Sequence, residues 1–256
     1  MIRIALCGAL GRMGNEVARA ILEQDDVTLS VAVEADGHPE MGSRIGDAEV
    51  VSSLKDHIEA TDVVVDFTNP EGALWHISVA ADHGLPAVVG VTALSEAQRE
   101  HIKTASSRIP IVYAPNMSVG VNLLFRLVSQ AATVLKEGYD VEIVEMHHRM
   151  KKDAPSGTAA KIADILGTVK EQSQNVYGRH GLIGERKPME IGIHALRGGD
   201  VVGEHCVIFA GDGERLEIAH KASSRRTFAA GVIRAVRFVD QRDPGLYDMT
   251  DVLGIQ

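Results

Sequence analysis

Aromatic residues make up only 4% of this 256-residue chain, with a single tryptophan. A core this poor in rings has to be built from aliphatic side chains. Cysteine is nearly absent as well. Cys7 and Cys206 are too few for a disulfide-stapled scaffold, and both sit in strand-like runs. They read as small buried hydrophobes in a reducing compartment. No apolar run approaches the roughly 20 residues of a membrane span. Residues 1–7 run straight into a glycine turn with no apolar leader segment. The expectation is a cytoplasmic protein with no membrane partner. A basic excess is also missing: 26 Lys and Arg against 35 Asp and Glu leave a net charge of −9. The acidic balance argues against nucleic acid as the main partner, because phosphate binding needs a broad basic face. There is no internal repeat and no low-complexity segment. What remains is an ordinary globular composition, 45% hydrophobic and 24% charged, long enough for two small domains or one large one.

The chain opens with a short apolar strand at residues 2–7, then G-A-L-G-R-M-G from Gly8 to Gly14. A helix follows with Met13, Val17 and Ile21 on one face. A second strand, Val27 to Val33, ends in Glu34. This is a βαβ unit with a glycine turn at its first crossover, spaced GxxGxxG instead of GxGxxG. Gly8 suits the tight turn, Gly11 a close approach to a pyrophosphate, and Gly14 helix packing. The turn Gly8, Ala9, Leu10, Gly11, Arg12 and Met13 is thus a candidate dinucleotide cradle. Glu34, 20 residues after Gly14, is placed to accept ribose hydroxyls. A structural glycine turn in another α/β fold is the competing account.

Alternation continues with strands at Val63–Phe67, Ala87–Val91 and Pro110–Ala114. Asn69-Pro70 reads as an N-cap and first helical position, and Ser95 with Gln98 as a capping box. The pattern predicts a Rossmann-like, doubly wound parallel sheet with ligands at the carboxyl ends of its strands. Thr68, Gly90, Val91, Thr92, Ala114, Pro115, Asn116 and Met117 lie at such ends. They are expected to rim the nicotinamide half of a cofactor, unless these are merely tight loops. After Asn116 the pattern changes. A long helix at Val119–Leu135 precedes a strand at 141–147 and a helix at Thr158–Val169. Residues 171–188 read as loop. Strands follow at Met189–Leu196, Val201–Ala210 and Arg215–His220. This predicts a second α+β domain on an open, mainly antiparallel sheet. The helix Phe228–Val239 is expected to return to the first domain. The expected division is 1–117 plus 227–256 for the dinucleotide and 118–226 for substrate and oligomerisation, with the crossings near 118 and 227 acting as a hinge.

The densest chemistry lies in VEIVEMHHRMKKDAPSGTAA, residues 141–160. Ser156 is a good N-cap, and a Ser-Gly-Thr helix start offers unpaired N–H groups and a positive dipole end to an anion. His147, His148, Arg149, Lys151 and Lys152 crowd beside it. An acidic chain has put its densest basic cluster next to an anion-binding turn, which points to a small carboxylate or phosphate. The plain alternative is a solvated loop before an ordinary helix.

Glu145–Ala159, E-M-H-H-R-M-K-K-D-A-P-S-G-T-A, resembles the signature of the 4-hydroxy-tetrahydrodipicolinate reductase (dihydrodipicolinate reductase) family. Supporting matches are G-A-L-G-R-M-G, V-D-F-T-N-P at 65–70, A-P-N-M-S-V-G-V-N at 114–122, and H-K-A-S-S-R-R-T-F-A at 220–229. The resemblance covers essentially the whole chain. It implies an enzyme of the diaminopimelate route to lysine. Such an enzyme transfers hydride from NADH or NADPH to a small cyclic imine dicarboxylate, with loss of water. It also implies a homotetramer joined through the C-terminal sheets. By motif, His147 is implied as catalytic proton donor/acceptor, Lys151 as a catalytic lysine and His148 as substrate-binding. Gly157 and Thr158 are implied as the carboxylate cradle, and Ser156 is expected to join them at the Ser-Gly-Thr helix start.

Physical chemistry is consistent with these roles. Hydride addition to an imine carbon builds negative charge on nitrogen, and histidine titrates near working pH. Lys151 supplies positive charge for a carboxylate. Metal is not expected: neighbouring residues on a strand face opposite ways, and neither HExxH nor a cysteine cluster is present. Ala35 follows Glu34 where some relatives that use NADPH well carry arginine. NADH is therefore expected to serve at least as well as NADPH, with Arg12 and Arg44 as possible substitute cations. Two rival readings stand beside this one. One is another two-domain NAD(P)-dependent oxidoreductase acting on an aldehyde or sugar. The other is a non-catalytic cofactor-sensing module.

Overall fold

The computed structural model describes residues 1–255. In chain order the elements are β1 (Ile2–Cys7), α1 (Arg12–Leu22), β2 (Val27–Val33), β3 (Arg44–Ile45), β4 (Ala48–Val51), a 3₁₀ segment (Lys55–Ala60), β5 (Val63–Asp66), α2 (Pro70–Asp82), β6 (Ala87–Val89), α3 (Glu96–Ser106), β7 (Pro110–Tyr113) and α4 (Val119–Val134). They continue with β8 (Asp140–His147), α5 (Gly157–Val169), β9 (Gln174–Tyr177), β10 (Glu190–Arg197), β11 (Gly203–Gly211), β12 (Glu214–Ala222), α6 (Arg226–Val239), β13 (Gly245–Tyr247) and α7 (Met249–Leu253). The chain divides into two compact units. One comprises Met1–Val119 and the chain from Arg225 onward; the other is Gly120–Ser224.

The first unit holds a sheet of order β13-β7-β6-β5-β1-β2-β4-β3, parallel except for the short β3–β4 pair. Its central strands are apolar on both sides because both faces are covered. Ile4, Leu6, Val63 and Val65 face α1 and α6; Ala5, Cys7, Val64 and Val89 face α2 and α3. The helix starts have local causes. Asn69 accepts from Gly72 N–H at 3.0 Å, with Pro70 in the first turn. Ser95 and Gln98 form a reciprocal capping box. The edge strands β3 and β13, the short β4 and the helix α7 carry no strong periodicity and are not legible in the sequence.

The second unit is one five-stranded sheet, β12-β11-β8-β10-β9, with α4 and α5 packed on one face. Antiparallel pairing holds on the β12–β11–β8 side. The pairs β8–β10 and β10–β9 are parallel. The sheet is therefore antiparallel on one side of β8 and parallel on the other. The parallel side has two causes: α5 crosses over so that β9 runs the same way as β8, and the connection 178–189 crosses back so that β10 does too. The expected loop at 171–188 also contains β9, a short strand whose polar sequence hid it.

Candidate active site

The first group of candidate residues gathers at the carboxyl ends of β1, β2, β5 and β6. Gly8 takes φ +78°, a region where only glycine is at ease, and a Cβ there would lie 3.0 Å from the Phe67 backbone. A Cβ on Gly14 would sit 2.0 Å from the Gly8 carbonyl oxygen, so the start of α1 packs directly on the turn. Gly11 is the N-cap of α1 and offers no side-chain cap. The first N–H groups of the helix, at Arg12 and Met13, are thus left to a ligand. Ala9 is fully buried beneath them. Close glycine packing and an uncapped helix start fit a dinucleotide pyrophosphate.

Glu34 is expected to meet ribose hydroxyls. Its carboxylate accepts from Leu10 N–H at 3.1 Å and from Ala35 N–H at 3.0 Å, which ties the second strand to the glycine turn. Each oxygen keeps lone-pair capacity for a further donor. Ala35, Arg12 and Arg44 are all exposed. At β6, Gly90 lies against the Phe67 ring, Val91 is buried and Thr92 is exposed. After β7, Ala114 and Met117 are buried, Pro115 is exposed, and Asn116 accepts from Ser118 N–H at 3.0 Å. Cys7, Asp66 and His76 bring possible metal-ligand atoms within 4.8 Å of one another. However, Asp66 and His76 already share a 2.6 Å hydrogen bond. Cys7 is fully buried, and burial pushes its thiol well above the ordinary value. A neutral thiol beside a self-satisfied pair is a poor donor set for a cation.

The second group lies within the second unit. On β8, Val141, Ile143 and Glu145 point into the core, and Glu145 is fully buried. A buried carboxylate is tolerated only when fully partnered. Arg197 grips it with both nitrogens at 2.9 Å, Ser156 N–H donates at 3.0 Å, and His147 Nδ1 lies 2.6 Å away. Burial alone would raise the Glu145 carboxyl, but Arg197, His147 and Ser156 outweigh it and hold it below its usual range. As Glu145 is a pure acceptor, His147 carries its hydrogen on Nδ1, which leaves Nε2 on the other edge of the ring. That edge lies over Gly203, where a Cβ would come within 2.9 Å of Nε2. Burial pulls the His147 imidazole below its ordinary value, with Lys151 and Arg197 adding to this against the opposing pull of Glu145.

The same carboxylate positions the helix start. Ser156 is buried, caps α5 through Ala159 N–H at 3.2 Å, and its hydroxyl meets His205 Nε2 at 3.0 Å. His205 is 4% exposed and stacks edge-on to His147 with ring centroids 5.2 Å apart. Burial, then neighbouring His147, pushes its pKa down to about 4. Gly157 is exposed with nothing within 4 Å of an ideal Cβ, leaving an open approach to the helix end. Thr158 and His148 are half-buried. Lys151 is fixed by Asp153 at 2.8 Å and lies in the turn after His148.

Thus His147, Ser156 and the start of α5 converge on Glu145. Glu145, Arg197 and His205 carry no functional assignment in the sequence motifs. An acidic residue on the apolar face of β8 was the available signal for Glu145. Arg197 is 52 residues distant and carried none.

Comparison with known proteins agrees along the whole length. The family model for the N-terminus of dihydrodipicolinate reductase matches residues 2–117, and that for its C-terminus matches residues 120–253. The 4-hydroxy-tetrahydrodipicolinate reductase of Nitrosomonas europaea is 48% identical, covering 100% of this chain and 99% of its own length. That of Thiobacillus denitrificans is 45% identical with the same coverage. A solved dipicolinate-bound dihydrodipicolinate reductase from Paenisporosarcina sp. TG-14 superposes with a TM-score of 0.81 at 25% identity, covering 100% of both chains. With both family models matched in sequence over two units that each carry one of the candidate residue groups, the chain belongs to the dihydrodipicolinate reductase family.

Proposed function

We propose that this chain reduces 4-hydroxy-tetrahydrodipicolinate to tetrahydrodipicolinate with loss of water, using NADH or NADPH, in the diaminopimelate route to lysine. The observation that carries the reading is the sharing of one buried carboxylate, Glu145, by the His147 imidazole and the start of α5. A proton-transfer group and an anion site are thereby held at a fixed spacing, which suits an imine with carboxylates on either side. Reduced nicotinamide supplies the hydride. His147 delivers a proton from Nε2, and its depressed pKa makes the imidazolium a strong donor. Lys151 supports one carboxylate and shares in proton delivery, and His148 contacts the ring substituents. The start of α5 at Gly157 and Thr158 receives the second carboxylate, and Ser156 fixes that start through the N–H it gives to Glu145.

In this reading residues 1–117 with 227–256 bind the dinucleotide across Gly8–Met13, Glu34, Gly90–Thr92 and Ala114–Met117. Residues 118–226 bind substrate and build a homotetramer. Support for the latter is the face of the second sheet opposite α4 and α5, where Val144, Met146, Cys206 and Ile208 are only partly buried and Leu196 is exposed. The enzyme acts in the cytoplasm; its two cysteines are free, and no helix of the described residues is long and apolar enough to cross a membrane. Freshly generated substrate should drive NADH oxidation at 340 nm, and pyridine-2,6-dicarboxylate should compete with it. Turnover of aldehydes or sugars that ignores the dicarboxylate would refute the assignment. The Ala35 reading makes NADH at least as good as NADPH, so a tenfold preference for NADPH in kcat/KM would contradict it.

A further inference from the structure

Asp66 closes β5 and is 1% exposed. Its ion-pair partner is a histidine, His76 of α2, at 2.6 Å on Oδ2. Its other oxygen accepts from Thr68 N–H at 2.9 Å and from the Thr68 hydroxyl at 2.6 Å. The longer 3.3 Å contact from that hydroxyl to the Asn69 carbonyl competes for the same hydrogen and loses on distance. With its hydrogen committed to Asp66, the Thr68 oxygen is left as an acceptor.

The location gives this acceptor a use. Strand order runs outward in opposite directions from the neighbouring pair β1 and β5, so the crevice at their carboxyl ends is the topological switch point. Gly8 follows β1 and Phe67-Thr68 follow β5 on the two sides of it. The segment is wedged in place. Phe67 N–H donates to the Cys7 carbonyl at 3.0 Å, and Gly90 N–H donates to the Asp66 carbonyl at 2.9 Å. A Cβ on Gly90 would lie 2.1 Å from the Phe67 ring, and one on Gly72 would lie 2.9 Å from the Thr68 oxygen. Thr68 is therefore held still by its neighbours, and α2 is bound into the arrangement through His76.

We propose that Asp66 and His76 are a positioning pair that turns the Thr68 hydroxyl oxygen into a fixed hydrogen-bond acceptor for the carboxamide N–H of the nicotinamide ring. The inference rests on the dinucleotide reading above. A dihydropyridine bearing a methyl ketone in place of the carboxamide has no N–H to give. A site that holds an acceptor for that N–H disfavours such an analogue, because the acceptor is left unpaired.

The test compares kcat/KM for NADH with that for reduced 3-acetylpyridine adenine dinucleotide in wild type, Thr68→Val, Thr68→Ser, His76→Phe and His76→Asn. The intrinsic reactivity difference between the two dihydropyridines cancels when the ratios are compared. Thr68→Val is expected to lower the NADH-over-analogue ratio at least tenfold, through loss with NADH, and Thr68→Ser to stay within threefold of wild type. His76→Phe is expected to lower the ratio at least threefold, and His76→Asn, which restores an N–H toward Asp66, to recover it. A wild type that binds neither NADH nor NADPH, read by quenching of protein fluorescence, overturns the dinucleotide reading and this inference together. A wild type that turns over NADH while Thr68→Val or His76→Phe leaves the ratio unchanged overturns the positioning pair alone.

Discussion

Glu145 holds two functions on one side chain, and a conservative change separates them from the fold. Glu145→Gln keeps the shape but removes the charge that faces Arg197 and His147. An uncompensated guanidinium in a buried site costs about 3 kcal/mol, so urea denaturation should show a loss of that order. Turnover should fall at least a hundredfold, because the imidazole loses the partner that selects its tautomer. A variant with kcat within threefold of wild type would remove Glu145 from the mechanism. His147→Gln should lower kcat by about 10²–10⁴-fold while NADH affinity, measured by fluorescence, stays unchanged. Unaltered kcat would show that the proton comes from another group.

Two glycines at helix starts make opposite predictions. At Gly14 a Cβ would meet backbone oxygen at 2.0 Å, and backbone cannot swing aside. Gly14→Ala should therefore destabilise by about 3 kcal/mol or more and lower the yield of folded protein, read by thermal melting. At Gly157 the space is empty and φ is not in the left-handed region. Gly157→Ala should leave stability unchanged or raise it by up to about 1 kcal/mol, since alanine is the better helix former. Its effect should fall on the ligand: KM for the dicarboxylate should rise at least tenfold. Loss of stability without a change in KM would mean that the start of α5 is structural and no carboxylate approaches it.

For the whole molecule, pH is the informative variable. His205 takes up a proton at about 4 when folded and near the ordinary 6.5 when unfolded. Between those values the unfolded chain binds more protons, so stability is full above about 6.5 and is lost as pH falls toward 4. His147 and His220 are shifted down by burial and act in the same direction. His205 alone accounts for at most about 3 kcal/mol of this loss. Urea midpoints at pH 7.5 and 5 should differ markedly in wild type and less in His205→Gln; equal differences would exclude His205 as the source. Glu142, held at about 2 by Arg179, His194 and Arg186 against the cost of burial, adds a further loss below about 4.5. The proposed assembly belongs to this scale too. Light scattering should give four chains per particle, and Cys206→Glu, on the open sheet face, should reduce it; a monomeric wild type would refute the tetramer.

Much of the first unit was legible in residue order because its signals are local. Glycine spacing, strand-ending residues and caps act over a few positions, where propensity and hydrogen bonding decide the outcome. The Glu145–Ala159 motif was legible for the same reason, since thirteen-residue α5 and the end of β8 are contiguous with it. Tertiary structure alone decided which way the second sheet runs beyond β8, because that depends on where α5 and the connection 178–189 return the chain. It also decided that Glu34 holds the Leu10 N–H, that Arg197 answers Glu145 from 52 residues away, and that His76 answers Asp66 from the next helix. Pairings of buried charge are set by desolvation, and desolvation exists only once the chain has closed around them.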